Sequence, residues 1–474
     1  MGAVVLVAAA LRFPSLSHQS YWRDEAFTVE VISSSLARMF HLVAQTESTP
    51  PLYYLLAWGW RHALGTSEWG LRSLSALAGV ATVPVVFAAA RHFAGTRAAL
   101  IAAALVACNP MLVWYSQEAR AYSLLVLMAA VGLLLFARAR ERPTAGRLAA
   151  WAAAGAFTLV THYFGVFLVA AEGVFLCAML PGRRRAIAVA LSAIAAVGLA
   201  VLPLALHQAA MGRAAWIAEW PLLARVGAVV GELVSANTLL TGSRAPTGPL
   251  GIAIFVAVLG GTLVLARRLD ARERAGAALT GALGGLAIAL PLVLALAGID
   301  FFLDRNLIAA WVVLAIALAA VLGARRAGGG GLAVAGLACL AGVVVNLQVL
   351  ADPALQHSDW RGVARVLGPP LTGRAIVVRP PYAKLTLKAY GHRILKFPRR
   401  GLPVREIALV GEVAAADVDL PASFRLVEQA RFGDVSVARY VAARPAAVTP
   451  RQLGSKRRSK RRTSVAYEPG ANAG

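Results

Sequence analysis

Apolar runs recur along this chain, most of them near the ~20 residues that span a bilayer, and the loops between them are short and rich in arginine. A run of that length satisfies its own backbone hydrogen bonds only as a helix once inside hydrocarbon. The pattern therefore predicts an all-α polytopic membrane protein. Composition agrees. Hydrophobic residues make up 59% of the 474 positions and charged residues 15%, with a mean hydropathy of +0.67. The formal charge of +24 would suit a nucleic-acid binder, but the arginines sit between apolar runs, where they report topology instead. Nucleic acid is not an expected partner; membrane lipid is.

Residues 2–13 read as a first span with part of its start absent, because no cleavage site or basic leader marks a signal peptide. The next apolar stretch, Leu52–Leu64, is short for a span. If it lies at the interface, later spans fall near 70–90, 98–115, 121–137, 148–162, 163–180, 186–206, 249–266, 275–297, 306–322 and 330–350. The loops bearing Arg91 and Arg97, Arg138 to Arg147, Arg183 to Arg185, Arg267 to Arg274, and Arg325 with Arg326 then all lie on one side. The positive-inside rule makes that side cytoplasmic. The expectation is about 11 spans, with outer juxtamembrane helices and an external C-terminus. One of those helices is an amphipathic segment over 26–44. The long loop 207–248, with Trp216 and Trp220, belongs to the outer face.

Beyond residue 350 the composition changes. Ala375–Arg379 reads as a strand, Pro381–Tyr390 as a helix, and Phe424–Val427 with Val435–Val441 as a hairpin around Gly433-Asp434. The chain thus divides into a transmembrane domain at 1–350, a small extracytoplasmic α/β domain at 351–444 and a basic tail at 445–474. The tail contains Lys456-Arg457-Arg458-Ser459-Lys460-Arg461-Arg462 and is expected to be disordered. Cys108, Cys177 and Cys339 are isolated within apolar runs and read as buried thiols.

Polar clusters gather at the outer ends of spans. Arg23-Asp24-Glu25 follows the first span, set between Trp22 and Phe27. A charge cluster at such a boundary costs desolvation unless it is hydrated, paired or used. Asp24 suits a general base; alternatively it caps a helix starting near Ala26. A second cluster runs from Trp114 through Gln117, Glu118 and Arg120 to Tyr122. Arg120 could hold a phosphate, and Glu118 a sugar hydroxyl or a metal. Asp304-Arg305-Asn306 offers a guanidinium for a phosphate fork. Thr161-His162-Tyr163 offers a histidine, and Arg72 a further cation. No Walker loop or dinucleotide fingerprint is present, so a nucleotide-using mechanism is not expected. A transporter or lipid flippase is the alternative. Those proteins place charges and broken helices near the midplane, whereas here only Glu172 stands out inside a span.

Taken in order, Asp24-Glu25-Ala26, Thr49-Pro50-Pro51-Leu52-Tyr53-Tyr54, Gly70-Leu71-Arg72, Asn109-Pro110 through Tyr122, Thr161-His162-Tyr163, Asp304-Arg305-Asn306-Leu307 and Asp359-Trp360-Arg361-Gly362 resemble the GT-C glycosyltransferases. More narrowly, they resemble bacterial relatives of protein O-mannosyltransferases and lipid A aminoarabinose transferases. The resemblance covers about residues 1–365. It implies an outward-facing site that moves a sugar, mannose-like by preference, from a polyprenyl-phosphate-linked donor to a protein, lipid or glycan acceptor, with inversion. It implies Asp24 as the base assisted by Glu25, and Glu118 as the second-loop acid. Arg120, Arg305 and Arg72 would hold the donor phosphate, with Gln117, Tyr122 and His162 beside it. Relatives often carry histidine or lysine where Thr49 stands. A divalent metal, with Asp24 and Glu118 as candidate ligands, is therefore left open, and no other cofactor is implied.

Overall fold

The computed structural model describes residues 1–235, 248–370, 372–413, 417–454 and 463–470. The chain divides into two compact units: Met1–Leu16 with Ser34–Leu355, and Ser17–Ser33 with Gln356–Gly474.

The first unit is helical. It contains α1 (Gly2–Ala10), α3 (Leu36–Thr46), α4 (Leu52–Leu64), α5 (Glu68–Cys108), α6 (Pro110–Ser116), α7 (Tyr122–Glu141), α8 (Ala145–Thr161), α9 (Val166–Met179), α10 (Arg184–Ala210), α11 (Leu222–Ser235), α12 (Gly248–Ala266), α13 (Ala271–Leu296), α14 (Ile308–Leu322) and α15 (Gly328–Ala351). Every expected span is helical. Six helical segments, within α5, α7, α10, α13, α14 and α15, are long and apolar enough to cross a membrane. Two expected spans share α5, which folds back at Gly95, where φ is +78°. Only glycine takes that backbone without strain. The second of those spans stops at Cys108. There Asn109 accepts a hydrogen bond from the Leu112 amide (3.0 Å), and Pro110 starts α6.

Glycines let helices approach closely. A Cβ on Gly276 would lie 2.2 Å from the Phe93 carbonyl oxygen, and one on Gly342 2.5 Å from that of Cys108. Such small-residue contacts substitute for the hydrophobic drive that is missing between helices in lipid. Conversely, Val189, Leu199 and Leu340 are exposed on α10 and α15, as lipid-facing side chains should be. The interfacial segment expected over 26–44 is not one helix. It breaks at Ser33-Ser34-Ser35, where Ser35 turns extended and caps α3. Serines compete for backbone hydrogen bonds in this way and terminate helices.

The second unit contains α2 (Arg23–Ile32), α16 (Trp360–Leu367), α17 (Ala383–Ala389), α18 (Pro450–Leu453) and six strands. These are β1 (Arg374–Arg379), β2 (Leu395–Lys396), β3 (Leu402–Gly411), β4 (Phe424–Phe432), β5 (Val435–Val448) and β6 (Ser464–Glu468). Their order is β2-β6-β1-β3-β5-β4, with β1 and β3 parallel and the other pairs antiparallel. The expected strand, helix and hairpin are all present. The tail is not wholly disordered: β5 runs to Val448 and β6 inserts between β2 and β1. Ser-Val-Ala-Tyr-Glu is a good strand sequence whose signal is hidden by the polar, basic residues before it. The basic run 456–462 lies outside the described residues. Arg374, fully buried on β1, is compensated by Glu406 (3.0 Å) and by Glu468 of β6 (2.8 Å).

Candidate active site

In the first unit the second-loop turn is built by its own polar residues. Arg12 is buried and donates to Ser116 Oγ (3.1 Å) and to the carbonyls of Ala107 (2.9 Å) and Val106 (3.3 Å), groups left without intrahelical partners at the end of α5. Gln117 Nε2 donates to Ser15 Oγ (2.6 Å) and to the carbonyls of Leu11 (3.0 Å) and Arg12 (3.2 Å). Arg72 donates to the Leu16 carbonyl (2.7 Å). Gln117 and Arg72, expected at the sugar and phosphate, thus reach the backbone where the chain leaves α1, and they fix the turn.

Within that frame lies a charged cluster. Arg120 is buried, and its Nη1 pairs with Glu47 Oε2 at 2.8 Å. Its guanidinium lies 6.0 Å from the Tyr54 ring centre. Tyr54 hydrogen-bonds with Glu47 and, at 3.3 Å, with Thr49. Burial holds its phenol well above the usual range, so it remains a proton donor at neutral pH. Glu118 is buried and accepts from Trp114 Nε1 at 2.8 Å. The Tyr122 ring lies 4.7 Å from Tyr115 and 5.5 Å from His162. His162 is within electrostatic range of Arg120 and Arg305, and Tyr115 within range of Glu118, Asp304 and Arg305. Arg305 is half-buried and sits 5.3 Å from the ring centre of Trp216. The structure therefore gathers Glu118, Arg120, Tyr122, His162 and Arg305 around Tyr115. It adds Glu47, Tyr54, Asp304 and Trp216, which were not among the expected site residues. Glu47 stands two residues before Thr49, and only its carboxylate among polar neighbours marked it in the sequence.

Asp24 and Glu25 belong to the second unit. The helix carrying them starts at Arg23 with Trp22 as its N-cap, so Asp24 is not a cap. Its carboxylate is 16% exposed and accepts from Arg23 Nε at 2.9 Å. Glu25 is fully buried and accepts from the Trp22 amide at 3.4 Å, the N3 partner of a capping box. It serves the helix start rather than the assisting role expected of it.

Among the described residues no three His, Cys, Asp or Glu side chains converge as metal ligands. Glu47 is balanced by an arginine, Thr49 replaces a potential ligand, and Asp24 and Glu118 lie in different units. The residues present do not fit the divalent metal left open above. Glu172, the acid noted inside a span, is buried and accepts from Trp151 Nε1 at 2.7 Å.

The family described as dolichyl-phosphate-mannose-protein mannosyltransferase matches residues 48–207. Two crystal structures of ArnT from Cupriavidus metallidurans share the fold. The one bound to undecaprenyl phosphate is 14% identical, with a TM-score of 0.58 over 93% of this chain and 98% of that one. The apo form is also 14% identical, with a TM-score of 0.61 over 92% and 97%. No curated protein gives a significant match.

Proposed function

We propose that this membrane glycosyltransferase of GT-C fold transfers a sugar, mannose by preference, from a polyprenyl phosphate to an extracytoplasmic hydroxyl acceptor, with inversion. The family match over 48–207 supports the reaction class and the mannose preference. The undecaprenyl phosphate bound by the ArnT relative supports the donor lipid. The observation that carries the reading is the gathering of Arg120 and Arg305 around Tyr115, Tyr122 and His162, at loops opposite in chain order to the arginine-rich ones. By the positive-inside rule those loops face out of the cytoplasm, across the cell's inner membrane.

The chemistry follows from charge. The donor phosphodiester carries one negative charge. As its bond to the anomeric carbon breaks, the electron pair stays on the phosphate, which leaves as a monoester with a second charge. Cations placed where that charge grows lower the barrier. Arg120 and Arg305 fill this role, and Arg120 can exchange its Glu47 contact for phosphate oxygen. The phosphate is already a competent leaving group, so a glycosidase-like acid is not needed. One base suffices. Asp24, held ionised by Arg23, takes the acceptor proton as its oxygen attacks the anomeric carbon from the face opposite the phosphate. The acceptor is a protein, lipid or glycan hydroxyl.

The test is transfer of label from radiolabelled polyprenyl-phosphate-mannose in membranes, comparing wild type with Asp24→Asn at matched expression. The isosteric amide removes the base and keeps the shape. Transfer by the wild type alone supports the assignment, and the labelled product names the acceptor. Equal transfer by both proteins excludes Asp24 as base.

A further inference from the structure

Asp24 is preceded by four consecutive residues, and each is held by a residue more than 330 positions later in the same compact unit. Ser20 Oγ accepts from the Trp360 amide at 2.9 Å. The Tyr21 amide donates to Tyr390 Oη at 2.6 Å. The Trp22 indole stacks on His357 at 4.4 Å and 7°. The Arg23 guanidinium lies 5.3 Å from the Tyr382 ring centre. Helix α2 itself packs along α17, and Lys388 pairs with Glu30 at 3.4 Å. A loop following a first span would ordinarily be mobile, and a base on a mobile loop spends little time aimed at its acceptor.

We propose that the C-terminal α/β unit is the positioning platform for Asp24, with Tyr382 as the residue that sets the carboxylate through Arg23. This rests on the reading of Asp24 as the base. Arg23 is the sole link in the chain of contacts from Tyr382 to the carboxylate: its cation faces the ring while its Nε donates to Asp24 Oδ1. The Arg23 side chain is 40% exposed, so nothing but the ring and the carboxylate fixes it. Remove the ring and Arg23 is freed to solvent, and the carboxylate loses the rotamer its partner imposes. Tyr382 touches neither donor nor acceptor in this scheme and acts only through Arg23.

The experiment uses the full-length protein and the polyprenyl-phosphate-linked sugar that the wild type turns over, from a panel beginning with mannose. Tyr382→Leu, Tyr382→Phe, Arg23→Gln, the Tyr382→Leu/Arg23→Gln pair and Asp24→Asn are compared for kcat and donor KM. The expected result is that Tyr382→Leu lowers kcat by about 10- to 100-fold with donor KM within about twofold, the loss that a small misplacement of a reacting group causes. Tyr382→Phe keeps the ring face and restores kcat. Tyr382→Leu has no further effect in the Arg23→Gln background, because both act on one link. Arg23→Gln, at an exposed side chain, keeps the test valid even if Tyr382→Leu folds poorly: a wild-type kcat in Arg23→Gln overturns the proposal. So does a wild-type kcat in Tyr382→Leu, an equal loss in Tyr382→Phe, or a loss that persists undiminished in the Arg23→Gln background. If Asp24→Asn turns over at the wild-type rate, or the wild type uses no donor in the panel, the base assignment itself falls and takes this inference with it.

Discussion

The Glu47–Arg120 pair makes opposite predictions for its two halves. Both side chains are buried, 3% and 9% exposed, and meet at 2.8 Å. Replacing either partner alone strands a buried charge, at a cost of about 3–5 kcal/mol. Arg120→Gln and Glu47→Gln should therefore both lower the unfolding temperature of the empty protein, and the double variant should recover most of the loss. Binding of polyprenyl phosphate splits them. Arg120→Gln deletes a charge-assisted contact of about 1.5–3 kcal/mol, weakening the lipid by about tenfold to a hundredfold. Glu47→Gln instead removes an anion that competes for the guanidinium and repels the incoming phosphate. Two like charges about 5 Å apart in a partly screened site repel by roughly 3 kcal/mol, so the lipid should bind tighter by about tenfold or more. The assay is thermal unfolding of the purified protein across a polyprenyl phosphate titration, where ligand stabilisation reports affinity. Equal weakening in both variants would make the pair a scaffold contact and refute the phosphate exchange at Arg120.

Three further outcomes follow from the geometry. Arg225, 2% exposed, grips Asp300 through both carboxylate oxygens (2.7 and 2.6 Å), and this hydrogen bonding holds the Asp300 carboxyl below its usual range. Asp300→Asn should cost about 1–2 kcal/mol at neutral pH. Because the folded value is depressed, that difference should persist above the ordinary carboxyl value of about 4 and vanish as pH falls through the folded one; thermal unfolding against pH checks this, and a difference unchanged at pH 3 would contradict it. Truncation after Leu453 removes β6, which carries the Glu468 partner of buried Arg374, and should make 356–453 sensitive to limited proteolysis where the full chain is resistant. Finally, the Cys108 thiol is hydrogen-bonded to Cys339, so mild oxidation should cross-link α5 to α15 and leave Cys177 open to alkylation; full alkylation of all three after oxidation would place the helices wrongly.

The membrane architecture was legible because bilayer thickness and backbone satisfaction leave few alternatives. Leu52–Leu64 came out with the expected bounds, since an apolar run too short to span still folds as a helix at the interface. The polar turns were legible as places. What the sequence could not reveal was partnership. Nothing near Asp24 announces that Tyr382 and Tyr390 hold its helix, and nothing near Arg374 announces Glu468, because each pair is separated by roughly a hundred residues or more and meets only through tertiary packing. The break at Ser33-Ser34-Ser35 was readable from residue chemistry alone. The strand at Ser464–Glu468 was obscured by the composition of its surroundings.

Partnership also separates the residues that build the site from those that can work in it. Arg12, Gln117 and Arg72 all looked alike in sequence to Arg120 and Arg305: polar donors at the outer ends of apolar runs. In the fold, Arg12, Gln117 and Arg72 give donors to main-chain carbonyls of helix ends and the segment after α1. Those carbonyls have no other partner in an apolar surround, so withdrawing a donor to bind a ligand would leave a buried acceptor unsatisfied at a cost of about 1–3 kcal/mol. Arg120 gives its donor to a carboxylate, and Arg305 rests on an indole face. A phosphate oxygen replaces a carboxylate oxygen on a guanidinium with little change in geometry, and a cation leaves an aromatic face without orphaning a polar group. Exchangeable partners thus distinguish Arg120 and Arg305 as the cations that can meet a leaving phosphate, and fixed partners distinguish Arg12, Gln117 and Arg72 as the frame that holds them in place.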